Sequence, residues 1–166
     1  MPPAPHARVQ NLTPAAAAQL GEAFRLLQSG AREAAEAIVA RVIEAFPSAV
    51  DALHLFALCR KAAGDREAAA HYFERALSLT PKHPQILNNY ANLLSDMGRV
   101  EEALDRYRQA IASAPDFADG WLNLGLALNR LKRHGEAVET LERAARLSPQ
   151  RAAIHNALGI ALKELG

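Results

Sequence analysis

The prolines of this 166-residue chain recur with a period of 34: for Pro47, Pro81, Pro115 and Pro149 the differences 81−47, 115−81 and 149−115 are equal. No other feature narrows the fold as much, because a unit repeated at such an interval is one supersecondary element stacked on copies of itself. Gly30, Gly64 and Gly98 keep the same step; Lys132 stands at the next place and glycine returns at Gly166. Small residues are phased with them. Ala35, Ala69, Ala103 and Ala137 form one column, and Val42, Ala76, Ala110 and Ala144 another.

Within one period the local physics predicts two helices. The glycine supplies the left-handed conformation that ends a helix, and the proline halts the next helix and opens a rigid turn. In "FADGWLNLGLALNRLK", Trp121, Leu124, Gly125 and Leu128 share a helical face; in "HGEAVETLERAARLSP", Val138, Leu141 and Leu147 do the same. Gly125, Ala137 and Ala144 leave room for neighbouring helix backbones to approach. Each period is therefore expected to be a helical hairpin. Composition agrees: half of the residues are hydrophobic but only 5% are aromatic, which suits alanine-rich helix packing and an all-α class.

These columns resemble those of the tetratricopeptide repeat family, whose pattern runs from a large residue through Leu-Gly, a Tyr-like residue, Ala, a Phe-like residue and Ala to Pro. Trp121, Leu124, Gly125, Leu128, Ala137, Leu141, Ala144 and Pro149 match it best. Leu87, Tyr90, Ala91, Leu94, Ala103, Tyr107, Ala110 and Pro115 follow, then Leu53, Phe56, Ala57, Ala69, Phe73, Ala76 and Pro81, with Arg60 in place of a large apolar residue. The resemblance implies a right-handed α-solenoid of antiparallel helix hairpins, with four repeats at about 16–49, 50–83, 84–117 and 118–151. A single domain is expected over 13–166, preceded by a flexible tail over 1–12. Gln19 and Glu22 stand where repeat one should be apolar, so its first helix is expected to be rotated or shifted. Residues 152–166 match only the first helix of a fifth repeat, which reads as a cap or as the cut edge of a longer protein, the latter being favoured.

The chain offers little to catalysis. No two of its six histidines lie three or four residues apart, and the single Cys59 excludes an intramolecular disulfide and a cysteine-rich metal site. Phosphate-loop, nucleophile-elbow and dinucleotide signatures are missing. No enzyme, cofactor or metal site is expected. With 19 basic and 18 acidic residues there is no global field to draw nucleic acid. The basic stretch of Arg130, Lys132, Arg133 and His134, with Arg143, Arg146 and Arg151 beyond it, reads as charge near helix ends. No segment approaches the roughly 20 apolar residues of a membrane span, and a cytoplasmic setting is expected.

The feature left over is a set of asparagines, costly in helices by about half a kcal/mol each. The resemblance places the first helix of each repeat on the concave side. Counting from each repeat start, that side takes Gln85, Asn88, Asn89, Asn92, Ser95 and Asp96, then Asp119, Leu122, Asn123, Leu126, Asn129 and Arg130, and finally Asn156 and Lys163. Asn89 and Asn123 occupy one place a period apart, which is similar to the asparagine ladder of O-linked N-acetylglucosamine transferases, although Gly21, Leu55 and Ala157 stand at the other rungs. A clamp for chaperone C-terminal carboxylates is not expected, because Asn88, Ala153 and Ala157 replace its cations.

The sequence thus points to a non-catalytic scaffold holding a peptide segment or helix of a protein partner in its concave groove. The candidate contact residues are Asn88, Asn89, Asn92, Leu122, Asn123, Leu126, Asn129 and Asn156. The alternative is the N-terminal recruiting arm of a larger bacterial-type glycosyltransferase or sulfotransferase. Self-association through residues 152–166 is a further expectation.

Overall fold

The computed structural model describes residues 9–166, and every regular element among them is an α-helix. In chain order these are α1 (Pro14–Gln28), α2 (Arg32–Ala45), α3 (Val50–Ala62), α4 (Arg66–Leu79), α5 (Pro84–Asp96), α6 (Val100–Ser113), α7 (Ala118–Arg130), α8 (His134–Leu147) and α9 (Ala152–Leu165). The starts of α3, α5, α7 and α9 are evenly spaced by one period (84−50, 118−84, 152−118), as the prolines predict. The chain divides between Pro81 and Lys82 into two compact units.

The first unit holds α1 to α4, paired as hairpins α1–α2 and α3–α4, with α3 also packed on α1 and α2. Thr13 caps α1 by accepting the Ala16 N–H at 3.2 Å, and Pro14 occupies the first turn, where its missing N–H costs nothing. This helix buries Ala16, Leu20 and Ala23 while Gln19 and Glu22 stay exposed. The expected rotation is not seen: Leu20 keeps the place of Leu122 and Ala23 that of Gly125, all buried, so α1 holds the common register with Gln19 and Glu22 turned to solvent. Gln10, which the sequence reading assigned to the free tail, is tied back: its N–H donates to the Ser48 carbonyl at 3.2 Å, and its side-chain oxygen accepts the Ser48 N–H at 2.8 Å. Leu12 packs against the core of this unit as well, and residues 1–8 of that expected tail lie outside the described residues.

Arg60, the departure from the family pattern in repeat two, has a structural role in this unit. Its guanidinium donates to Glu36 of α2 at 2.6 Å and to Asp65, the residue capping α4. The Asp65 carboxyl is held below the usual carboxylate range by that guanidinium and then by the Ala68 N–H. A polar tie between three helices replaces an apolar contact.

The second unit holds α5 to α9. Hairpins α5–α6 and α7–α8 are followed by α9, which packs on α8. The first helices α5, α7 and α9 lie side by side, forming one layer, with α6 and α8 behind them. Ala103, Ala110, Ala137 and Ala144 are all fully buried, as are Ala35, Ala69 and Ala76 in the first unit, so both small-residue columns mark helix contacts. Gly125 carries a further close contact. A Cβ placed there would lie 2.5 Å from Leu141 Cγ, so the leucine of α8 sits over the glycine of α7 like a knob in a hole. Gly159 is its counterpart one period on, and a Cβ there would meet nothing within 4 Å.

The helix ends repeat as well. Gly98 and Lys132 both have positive φ, 78° and 58°, and each closes its helix in the same way. The Arg99 N–H reaches the Leu94 carbonyl at 2.9 Å, and the Arg133 N–H reaches the Leu128 carbonyl at 3.0 Å. This is the paired-bond termination that favours glycine. Lys132 adopts the glycine conformation without being glycine.

These contacts make stability testable at three positions. Gly125→Ala is expected to lower unfolding free energy by about 1–3 kcal/mol through overpacking against Leu141, while Gly159→Ala raises it by up to about 1 kcal/mol through helix propensity. Urea unfolding of the two variants checks this contrast. Lys132→Gly is expected to stabilise by about 0.5–1 kcal/mol, the relief of left-handed strain exceeding the added unfolded-state entropy, and a raised urea midpoint at unchanged slope is the readout.

Candidate functional site

The exposed side of the α5–α7–α9 layer collects the asparagines, and the structure sorts them by depth. Asn88 and Leu122 are only 5% exposed, so these two expected contact residues are packed between helices and present little surface to a partner. Asn89, Asn92, Asn123 and Asn129 are half-buried. Leu126, at 39%, and Asn156 are exposed.

The amides are built into the helix packing. Asn123 donates through Nδ2 to Oδ1 of Asn88 at 3.0 Å, tying α7 to α5. The bond runs from the sixth place of one repeat to the fifth place of the one before, which explains why a buried amide is tolerated at Asn88: its oxygen has a partner. Asn89, the rung expected to match Asn123, is engaged within the protein by an interaction of its own. Asn129 joins α7 to its neighbours, donating to the Ala157 carbonyl at 3.3 Å and accepting from Nδ1 of His134 at 3.3 Å. That contact makes Nδ1 the protonated nitrogen, since an amide oxygen only accepts.

Asn92 is oriented from behind. The hydroxyl of Tyr107, on α6, donates to its Oδ1 at 2.6 Å. Burial pushes the Tyr107 phenol well above its usual range, so it stays a hydroxyl donor at any physiological pH. Sequence reasoning missed this residue as part of the site because Tyr107 fills an apolar column; its phenolic oxygen was the available signal. With Oδ1 accepting from Tyr107, the Asn92 NH₂ has no partner among the described residues; with one Nδ2 proton committed to Asn88, the Asn123 Oδ1 has none either. Each of these two amides is anchored by a bond to the protein and keeps hydrogen-bonding capacity of its own, a donor group at Asn92 and an acceptor at Asn123.

Charges around this face are mostly paired. Arg130 donates to Ser95 Oγ at 3.2 Å, Arg151 pairs with Asp119, and Arg133 grips Glu136 through two bonds at 2.7 and 2.8 Å. The basic stretch singled out in the sequence is thus largely committed to neighbouring side chains. His155 is held too, Nε2 donating to the Pro149 carbonyl at 2.7 Å, as Trp121 Nε1 does to Pro115 at 2.9 Å one period earlier. Among the described residues no group of three or more His, Cys, Asp and Glu side chains is placed to hold a metal ion. Cys59 is buried, and its thiol is pushed up to about 11 by desolvation and then by Glu36, so it is a poor nucleophile. No helix among the described residues is long and apolar enough to cross a membrane.

Helical hairpins repeated at one constant spacing, with small residues at the contacts within each unit, define a helical-repeat protein. The chain belongs to the tetratricopeptide repeat family: a model described as tetratricopeptide repeat matches residues 90–152, and one described as anaphase-promoting complex, cyclosome, subunit 3 matches 28–110. Among solved structures it is similar to PilF of Pseudomonas aeruginosa at 25% identity and TM-score 0.85, over 91% of this chain and 69% of that one. MamA of Desulfovibrio magneticus RS-1 matches at 21% identity and TM-score 0.77, over 93% and 88%. A tetratricopeptide repeat protein from Parabacteroides merdae ATCC 43184 matches at 18% identity and TM-score 0.78, over 93% and 61%. The last two likenesses show the fold alone. No curated protein sequence matches this chain.

Tyr107→Phe tests the orienting bond. It is expected to cost about 0.5–1.5 kcal/mol in urea unfolding, the net value of one hydrogen bond, and to shift the Asn92 side-chain NH₂ resonances, with unchanged resonances counting against the assignment.

Proposed function

We propose that this chain is a protein-interaction scaffold whose α5–α7–α9 face holds an extended segment of a partner protein. Membership of the tetratricopeptide repeat family, whose members serve as protein-interaction scaffolds, supports the coarse reading. The observation that carries the finer one is the complementary setting of Asn92 and Asn123, fixed by Tyr107 and Asn88 respectively. The Asn92 NH₂ suits a peptide carbonyl and the Asn123 oxygen suits a peptide N–H. Together they fit the backbone of a bound segment whatever side chains it carries.

The spacing is compatible with this. Packed helices lie about 8–10 Å apart and an extended chain advances about 3.3–3.6 Å per residue, so successive helices meet roughly every third residue of the segment. Leu126, exposed on the same face, would contact an apolar side chain between the backbone bonds. Asn89 and Asn156 extend the polar surface, whereas Asn88 and Leu122 act from beneath it.

A twelve-residue peptide selected on the wild-type protein from a random display library, labelled and followed by fluorescence anisotropy, tests the reading. The variant Asn92→Ala with Asn123→Ala is expected to weaken binding by about tenfold or more, two hydrogen bonds being lost. Equal affinity for the selected peptides would refute the role given to the amides.

A further inference from the structure

The first unit carries an apolar cleft that the amide face does not explain. It lies between α1 and α3, has a volume of about 310 Å³, and is lined by Leu20, Gly21 and Phe24 on one side and His54, Leu55 and Leu58 on the other. That volume falls at the lower end of ligand-sized pockets, enough for one or two large side chains. Gly21 keeps it open: a Cβ there would meet nothing within 4 Å, whereas Leu55 fills the equivalent place one period on. Phe24 leaves 46% of its surface in solvent beside the opening, an uncommon exposure for a phenylalanine on a helix with a core to pack into.

One lining residue is charged. Asp51 is exposed in the first turn of α3, and among the described residues its carboxylate has no side-chain partner. An apolar cavity with a single unpaired carboxylate is complementary to an apolar group with a cation next to it.

We propose that this cleft is a second docking site, which takes a large aliphatic or aromatic side chain of a partner segment whose adjacent residue is lysine or arginine. The apolar side chain enters over Gly21 between Leu20, Leu55 and Leu58, and the neighbouring cation faces Asp51. The site is independent of the Asn92 and Asn123 amides, which belong to the other unit.

Nitrogen-15 amide spectra of the full chain, titrated with acetyl-Lys-Leu-Lys-amide, acetyl-Glu-Leu-Glu-amide and acetyl-Lys-Ser-Lys-amide, test it. The first peptide is expected to give saturable shifts at Gly21, Leu55 and Leu58; the glutamate peptide binds more weakly and the serine peptide gives none. Gly21→Leu fills the cleft, abolishes the shifts and, by replacing a mid-helix glycine, raises the melting temperature. Asp51→Asn weakens the lysine peptide about twofold to fivefold, the range for one exposed ion pair, and removes the preference over glutamate. Phe24→Ala weakens all leucine peptides, with the amide spectrum away from the cleft unchanged. Asn92→Ala with Asn123→Ala leaves these shifts unchanged, so failure here and failure of the amide face are separate results. No saturable shift in the wild type, equal shifts with the serine peptide, or full binding by Gly21→Leu would overturn the proposal.

Discussion

Everything in this chain depends on how closely the two helices of a hairpin approach. In repeat four the contact is explicit: Leu141 presses where a Cβ on Gly125 would stand. The same register in the earlier repeats pairs Ala91 with Tyr107, Ala57 with Phe73 and Ala23 with Val39, all of them at most 3% exposed. A small residue faces a large one each time. As the large partner grows from valine to phenylalanine and tyrosine, alanine still suffices, and only the γ-branched leucine meets a glycine. This size complementarity fixes the hairpin, and the hairpin fixes which residues of the first helix are left to face outward.

The amide face is a consequence of that packing rather than an addition to it. Tyr107 belongs to the size-matched column, and its ring is buried for that reason; its hydroxyl then emerges at Asn92. One residue therefore serves the core and orients a polar group for the surface. Asn88 and Asn123 link adjacent first helices in a similar double role, satisfying a buried amide while leaving the Asn123 oxygen without a partner among the described residues. Prepositioned groups of this kind lower the ordering cost of binding, which is the physical basis of the proposal that they hold a peptide backbone.

The fold was legible in the sequence because its signal is periodic. Pro81, Gly98 and Ala103 mean little singly, but their recurrence at one spacing specifies a stacked hairpin, and the helix starts at Val50, Pro84, Ala118 and Ala152 follow. The site was less legible because its details are not periodic. Counting places put Asn88 and Leu122 on the open face, yet side-chain depth depends on helix rotation, which a repeat count does not carry. Counting also matched Asn123 with Asn89, whereas the bond runs diagonally to Asn88. Tyr107 and the cleft at Gly21 were hidden for opposite reasons: one looked like pure core, and the other is defined by an absent side chain.

If Asn92 and Asn123 read peptide backbone rather than side chains, their amide groups must respond to any peptide that binds this face, whatever its sequence. Side-chain amide spectroscopy on isotopically labelled protein tests this directly, by following both NH₂ groups while unrelated binding peptides are added. Both sets of resonances are expected to move saturably with every peptide that binds, and replacing a contacted peptide bond by an N-methylated one is expected to remove the shift at Asn123, whose oxygen loses its donor. Peptides that bind tightly while both amides remain unmoved would contradict it.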